Sequence, residues 1–166
     1  HKAFGASDSL TLLPAFRPDK AIEIQHENFN AYLAKLETVV GHKIYSFSTL
    51  KKALDKRMDY FAAHGCTISD HGLEQIRYTE TSDEMADVVM QKKAKGKHLN
   101  VNDLEQYKTA VLLFLAKGYH KRGWVQQYHL GALRNNSSRM LNNLGPDMGC
   151  DSIGDFHQVK GLSRFL

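Results

Sequence analysis

Three short stretches of this chain put chemically capable side chains directly after a β-prone run. Arg17 follows Leu10-Thr11-Leu12-Leu13 and Pro14, His71 follows Cys66-Thr67-Ile68-Ser69-Asp70, and His129 follows Trp124-Val125-Gln126-Gln127-Tyr128. The proline at position 18 keeps Arg17 in an extended backbone region, which aims its guanidinium. A fixed guanidinium suits a planar carboxylate or phosphate, held by two parallel hydrogen bonds. An imidazole at a pocket wall can take or give a proton near neutral pH, and His129 is the strongest candidate for that task. Gln127 stands two residues before it, on the same face of a strand. Arg134, Asn135 and Asn136, just downstream, offer hydrogen-bond donors to sugar-like hydroxyls, although a plain turn is the simpler expectation for the Asn pair.

Each candidate has a plainer alternative. Arg17 could pair with Asp19 as a structural ion pair, and a lone His71 is more commonly a hydrogen-bonded structural residue than a ligand. Asp70 and His71 are adjacent, so they leave a strand in opposite directions. One of them faces a site and the other does not, and the sequence leaves open which. A metal at His129 finds no completing HxH, HExxH or Cys/His cluster, and the chain has no GxSxG, P-loop or GxGxxG.

These tips need elements to hold them. Val125, Gln127 and His129 alternate with Trp124, Gln126 and Tyr128, the period of a strand. Buried polar groups cost free energy unless paired, so two Gln and a His in a buried strand call for a pocket at its C-terminal end. Leu10 to Leu13 reads as a first strand ended by Pro14, with residues 15–20 as a polar loop. Residues 1–8 read as loose and polar. Helical spacing predicts a helix over Glu27 to Val40 closed by Gly41, and another over Thr49 to Ala63 with Ser48 as N-cap. A third runs from a Thr81/Glu84 capping box to about Ala94. A fourth opens at Asn102 with Glu105 and ends at Gly123. Beyond Arg134 the chain reads as loop, with a terminal helix from near Asp155 carrying Val159, Leu162 and Leu166. The succession of strand, helices, strand, helices, strand, helix predicts parallel β/α units, with all three polar tips on one rim.

Composition narrows the classes further. At 166 residues, 42% apolar and 24% charged, the chain is expected to form one globular unit with a substantial core. No run approaches the ~18 apolar residues of a membrane span, and no signal peptide is visible. Two cysteines, Cys66 and Cys150, fit a reduced, cytoplasmic setting. The net charge of +4 is mild. The Lys92-Lys93-Ala94-Lys95-Gly96-Lys97 cluster reads as a solvated helix end, not as a nucleic-acid footprint.

Taken together, Pro14-Ala15-Phe16-Arg17-Pro18-Asp19-Lys20, His64 through His71 and Gly123 through Asn136 resemble the uronate isomerase family, with Leu144-Gly145-Pro146-Asp147 and Asp151-Ser152-Ile153 extending the match. The resemblance implies a distorted (β/α)8 barrel of the amidohydrolase superfamily, of which this chain would supply about three parallel strands, the fourth to the sixth, with their helices. It implies isomerisation of D-glucuronate to D-fructuronate and of D-galacturonate to D-tagaturonate through a cis-enediol, with His129 catalytic and Arg17, His71, Gln127 and Arg134 as substrate contacts. It also implies a divalent metal, zinc, whose ligands sit on strands one and eight and not in this segment, a small uronate sugar as partner, and possible homo-oligomers. On that reading the 166 residues alone are expected to be inactive. Two other readings differ in class: a non-catalytic piece that self-associates through open sheet edges, and a metal-dependent hydrolase of the same superfamily.

Overall fold

The computed structural model describes residues 12–165. The helix periods resolve into α1 (Asp19–Ile22), α2 (Phe29–Val40), α3 (Phe47–Ala62), α4 (Asp83–Ala94) and α5 (Val101–Lys121), all before the second strand. Gly41 closes α2 as expected. Its φ of 75° is the left-handed conformation that glycine adopts without strain, and its N–H donates to Glu37 O. The caps lie one or two residues from the expected ones. Ser46, not Ser48, caps α3 in a box with Thr49. Ser82, not Thr81, caps α4. Asn100 with Asp103, not Asn102 with Glu105, boxes the start of α5. In each case another hydroxyl or amide residue nearby marks where the backbone leaves the extended region.

The apolar stripes of these helices converge on one core. Tyr107, Val111, Leu115 and Tyr119 of α5 pack with Leu50, Leu54 and Met58 of α3 and with Ile22, Ile24, Phe29 and Val40. Polar ties set the helices against one another. The buried Tyr107 hydroxyl donates to Ala21 O (2.9 Å), Phe47 N–H donates to Asp87 Oδ1 (2.8 Å), and Arg122 joins Asp55 and Asp59 of α3.

Between them runs a parallel pair, β1 (Ile68–Leu73) and β2 (Val125–Leu130), in the register Asp70 opposite Gln127 and Gly72 opposite His129. A third parallel contact comes from Phe16, whose N–H donates to Ile68 O and whose carbonyl accepts from Asp70 N–H, both at 3.0 Å. The spatial order is therefore Phe16, β1, β2, an α/β arrangement with helical crossovers between successive parallel segments. This moves the first strand. Leu12 and Leu13 are about half exposed and in no strand, residues 10 and 11 lie outside the described ones, and the pairing falls after Pro14. Phe16 was read as part of a polar loop, but it is buried against Phe61, Tyr119 and Trp124. Burying that ring fixes the segment against β1.

Past β2 the structure adds what the sequence concealed: β3 (Ala132–Leu133), α6 (Ser138–Leu144), the antiparallel return of β4 (Ser152–Ile153), and α7 (Val159–Leu162), shorter than the helix expected from Asp155. Two-residue strands carry too little alternation to be read. Leu166, placed on the terminal helix by its spacing, lies outside the described residues. No helix among the described residues is long and apolar enough to cross a membrane.

Candidate active site

The helices cover only one face of the β1–β2 pair. On that face Ser69, His71 and Trp124 are buried, and Tyr128 stacks on His71 with ring centroids 5.6 Å apart. The other face bears Asp70, Gln127 and His129, and nothing described covers it. Val125 at the start of the same face is 64% exposed, and the His129 side chain is 52% exposed. β2 is therefore not the buried strand that its run suggested. The alternation holds, and the polar half of it faces away from the described helices.

Arg17 reaches this open face around the tip of β1. Its Nε–H donates to Asp19 Oδ2 (2.9 Å) and its Nη1 lies 3.3 Å from Asp70 Oδ2. The guanidinium passes directly over Gly72, where an added Cβ would stand 2.3 Å from Nη2. Glycine at this position is what allows the approach. Asp70 Oδ1 lies 2.7 Å from His129 Nδ1. The ring N–H is not aligned with it, and the buried oxygen has no aligned donor among the described residues. The contact is close but is not a well-formed hydrogen bond. On the far side of the ring, Gln127 Nε2 stands 2.6 Å from His129 Nε2. An amide nitrogen only donates, so the ring accepts at Nε2 and carries a proton on Nδ1, off the line to Asp70 Oδ1. Arg17, Asp70, Gln127 and His129 thus form one constellation at the C-terminal end of a parallel sheet, where α/β proteins place their sites.

His71 lies on the opposite side. It is fully buried, its Nδ1 lies 2.8 Å from Asp19 Oδ1, and its Nε2 lies 3.0 Å from the Tyr119 hydroxyl. Burial raises the Tyr119 pKa well above its ordinary value, so the phenol keeps its proton and donates it to Nε2, leaving Nδ1–H for the carboxylate. Asp19 collects three donors, with Gly72 N–H at 3.0 Å as the third. Burial alone would push its carboxyl up, but hydrogen bonds from His71, Gly72 and Arg17 outweigh that and hold it below the ordinary 3.8. The same Asp19 hydrogen bond raises Arg17 further, against the effect of burial.

Of the residues singled out in the sequence, Arg17, Gln127 and His129 come together. The expected plain ion pair of Arg17 with Asp19 is also present, so the guanidinium has both a structural partner and an exposed edge. His71 is not brought to the open face, and its two nitrogens are engaged elsewhere. Arg134 pairs with Asp151 (2.6 Å), whose other oxygen accepts from Asn135 N–H (2.9 Å), and this pair ties β3 to β4. The sequence leaves open which of Asp70 and His71 shares a face with His129, and it is Asp70 that lies beside it. Strand alternation gives the parity of the two residues but not its sign, which only the register opposite Gln127 supplies. No three His, Cys, Asp or Glu side chains converge on a metal position among the described residues, so these residues do not by themselves make up a metal centre.

Comparison with known proteins bears directly on this constellation. The family model described as glucuronate isomerase matches residues 1–166. The uronate isomerase of Yersinia pseudotuberculosis serotype O:1b (strain IP 31758) is 48% identical over 168 residues, covering 100% of this chain and 36% of the relative. That of Serratia proteamaculans (strain 568) is 49% identical with the same coverage. Among solved structures, uronate isomerase from Thermotoga maritima superposes with a TM-score of 0.86 at 31% identity, over 93% of this chain and 34% of that one. Glucuronate isomerase from Caulobacter crescentus superposes with a TM-score of 0.80 at 28% identity, over 93% and 32%. The chain spans about a third of the length of the relatives it matches. Matched from end to end by the family model, and sharing its fold with solved members, this chain belongs to the glucuronate isomerase family.

Proposed function

We propose that this chain forms one wall of the active site of a uronate isomerase, as the middle portion of a (β/α)8 barrel, and that the enzyme interconverts D-glucuronate with D-fructuronate and D-galacturonate with D-tagaturonate. The observation that carries this reading is the convergence of Arg17, Asp70, Gln127 and His129 on the uncovered face of the sheet, in a chain that the isomerase family matches throughout. The exposed edge of Arg17 takes the substrate carboxylate, a bidentate partner that a uronate has and a neutral aldose lacks. Aldose–ketose exchange moves one proton from C2 to C1 of the open-chain sugar. The C2–H bond breaks to give the enediol, the hydrogen of its C2 hydroxyl leaves as C2 becomes a carbonyl, and C1 and its oxygen each gain a proton. His129 relays one of these protons through Nε2 once substrate displaces the Gln127 amide. Asp70, 2.7 Å from Nδ1, stabilises the imidazolium that forms, as the carboxylate of a catalytic triad does.

A divalent metal, zinc by the family resemblance, would take its ligands from other strands of the barrel. The same reading makes a cytoplasmic enzyme of small sugar acids, with no nucleic-acid or membrane partner. Grafting this chain in place of the matched third of the Yersinia enzyme tests it. The hybrid is expected to isomerise D-glucuronate. Within it, His129→Asn should lower kcat by about 10²- to 10⁴-fold, and Arg17→Met should raise KM for the uronate about tenfold or more. Unchanged kcat in the His129 variant would remove that residue from the mechanism. A loss on a neutral aldose equal to that on the uronate would remove the carboxylate from Arg17.

A further inference from the structure

We propose that His71 is a positioning residue for Arg17, acting through Asp19 from the helix-covered side of the sheet without touching substrate. The inference rests on the carboxylate-binding reading of Arg17 given above. An arginine side chain has four rotatable bonds, and a site that binds a carboxylate well must order them beforehand. The anchor here is one carboxylate held from both sides of the sheet. Asp19 Oδ2 accepts from Arg17 Nε–H (2.9 Å) and Gly72 N–H (3.0 Å), while Oδ1 faces His71 Nδ1 (2.8 Å). Fixing both oxygens fixes the carboxylate plane, and with it the direction of the Nε–H bond. That direction lays the guanidinium across Gly72 and presents Nη1 to Asp70, with the side chain 48% exposed.

His71 suits the task because it has no freedom of its own. Its ring is fully buried between Tyr128 (5.6 Å, 21°) and Tyr119 (5.8 Å, 40°). The Tyr119 hydroxyl on Nε2 leaves Nδ1–H as the single donor directed at Asp19. A ring so enclosed cannot reach a small molecule on the far side of the sheet without unpacking the core. Its influence passes through Asp19, in the manner of the outer hydrogen bonds that orient primary ligands in well-built sites.

The test compares two replacements. His71→Asn keeps a donor near the Nδ1 position, and His71→Phe keeps a flat ring with no donor. In the 166-residue chain, nuclear magnetic resonance follows hydrogen exchange at Arg17 Nε–H, with backbone amides of α5 as the fold control. The Phe variant is expected to speed Nε–H exchange about tenfold or more, and the Asn variant to restore it. In the grafted isomerase, Phe should raise KM for the uronate roughly ten- to hundredfold while kcat stays within about twofold, and Asn should return KM toward the parent value. Should the Phe chain not fold, His71→Gln, whose amide sits nearer the Nε2 position, is expected to show the same loss. Unchanged exchange and KM without the Nδ1 donor, in a hybrid where Arg17→Met still raises KM, overturns the positioning role alone. Arg17→Met without effect on KM overturns the carboxylate reading beneath it.

Discussion

The two faces of the β1–β2 pair are built to different rules. On the helix side the buried polar side chains of Ser69 and His71 are matched. Ser69 Oγ donates to Val125 O (3.4 Å), His71 is bonded at both nitrogens, and Trp124 stacks on Tyr119 at 5.8 Å. On the other side Asp70 Oδ1 lacks an aligned donor, and Gln127 and His129 are bonded chiefly to each other. One face spends its residues on stability. The other gathers polar groups that the described residues leave only partly matched, as expected of a face completed by groups outside this chain.

The contrast breaks most visibly, if it is wrong, under large-to-small substitution. Trp124→Ala empties a buried position among Phe16 and Tyr119 and should cost about 3–5 kcal/mol. Val125→Ala, the next residue on the opposite face, should change stability by no more than about 0.5 kcal/mol. Urea unfolding of both variants measures the difference, and equal losses would mean that the second face is also packed.

Asp19 joins the two faces and gives a smaller, pH-dependent effect. Its folded-state pKa lies below the ordinary 3.8, so its contribution is present above that value and is lost as pH falls through the lower folded one. The urea midpoints of the parent chain and of Asp19→Asn should therefore differ most near neutrality and converge as pH drops from about 4 toward 2. A gap that stays constant down to acid pH would mean that the Asp19 carboxylate is not held ionised by His71, Gly72 and Arg17.

Much of this was legible in the sequence, and the misses share a cause. The long helices announced themselves because Leu50, Leu54 and Met58, or Tyr107, Val111 and Leu115, repeat every four residues over more than two turns. Parallel pairing and the shared rim followed from the order of the elements. The first strand was misplaced because Leu10 to Leu13 is the more apolar run. The pairing is decided instead by one aromatic residue, Phe16, which has no period to display. Likewise β2 was read as buried because alternation does not say whether the polar half meets protein or open space. The same blindness left open which of Asp70 and His71 shares a face with His129, and the structure places Asp70 there. His129 and Arg17 drew attention because a strand tip gives such residue types little structural reason to be there, and the structure sets both beside Asp70. The pairing of Arg134 with Asp151 was hidden because it crosses a hairpin that two-residue strands do not reveal.

The finest distinction between the faces concerns Asp70 itself. Its carboxylate shares Arg17 with Asp19, and its Oδ1 sits beside a His129 ring that does not point a proton at it. A buried acceptor without an aligned donor contributes little to folding and can oppose it. Asp70→Asn keeps the size and removes one of two carboxylates crowding the same guanidinium. Stability should therefore be unchanged or raised by up to about 1 kcal/mol, while isomerisation by the grafted enzyme falls by about 10²-fold or more. On the helix face the corresponding isosteric change in Asp19 should lose stability. If Asp70→Asn destabilises the chain as much as Asp19→Asn does, the open face is held together by the same matched bonding as the covered one, and its polar residues need no ligand to account for them.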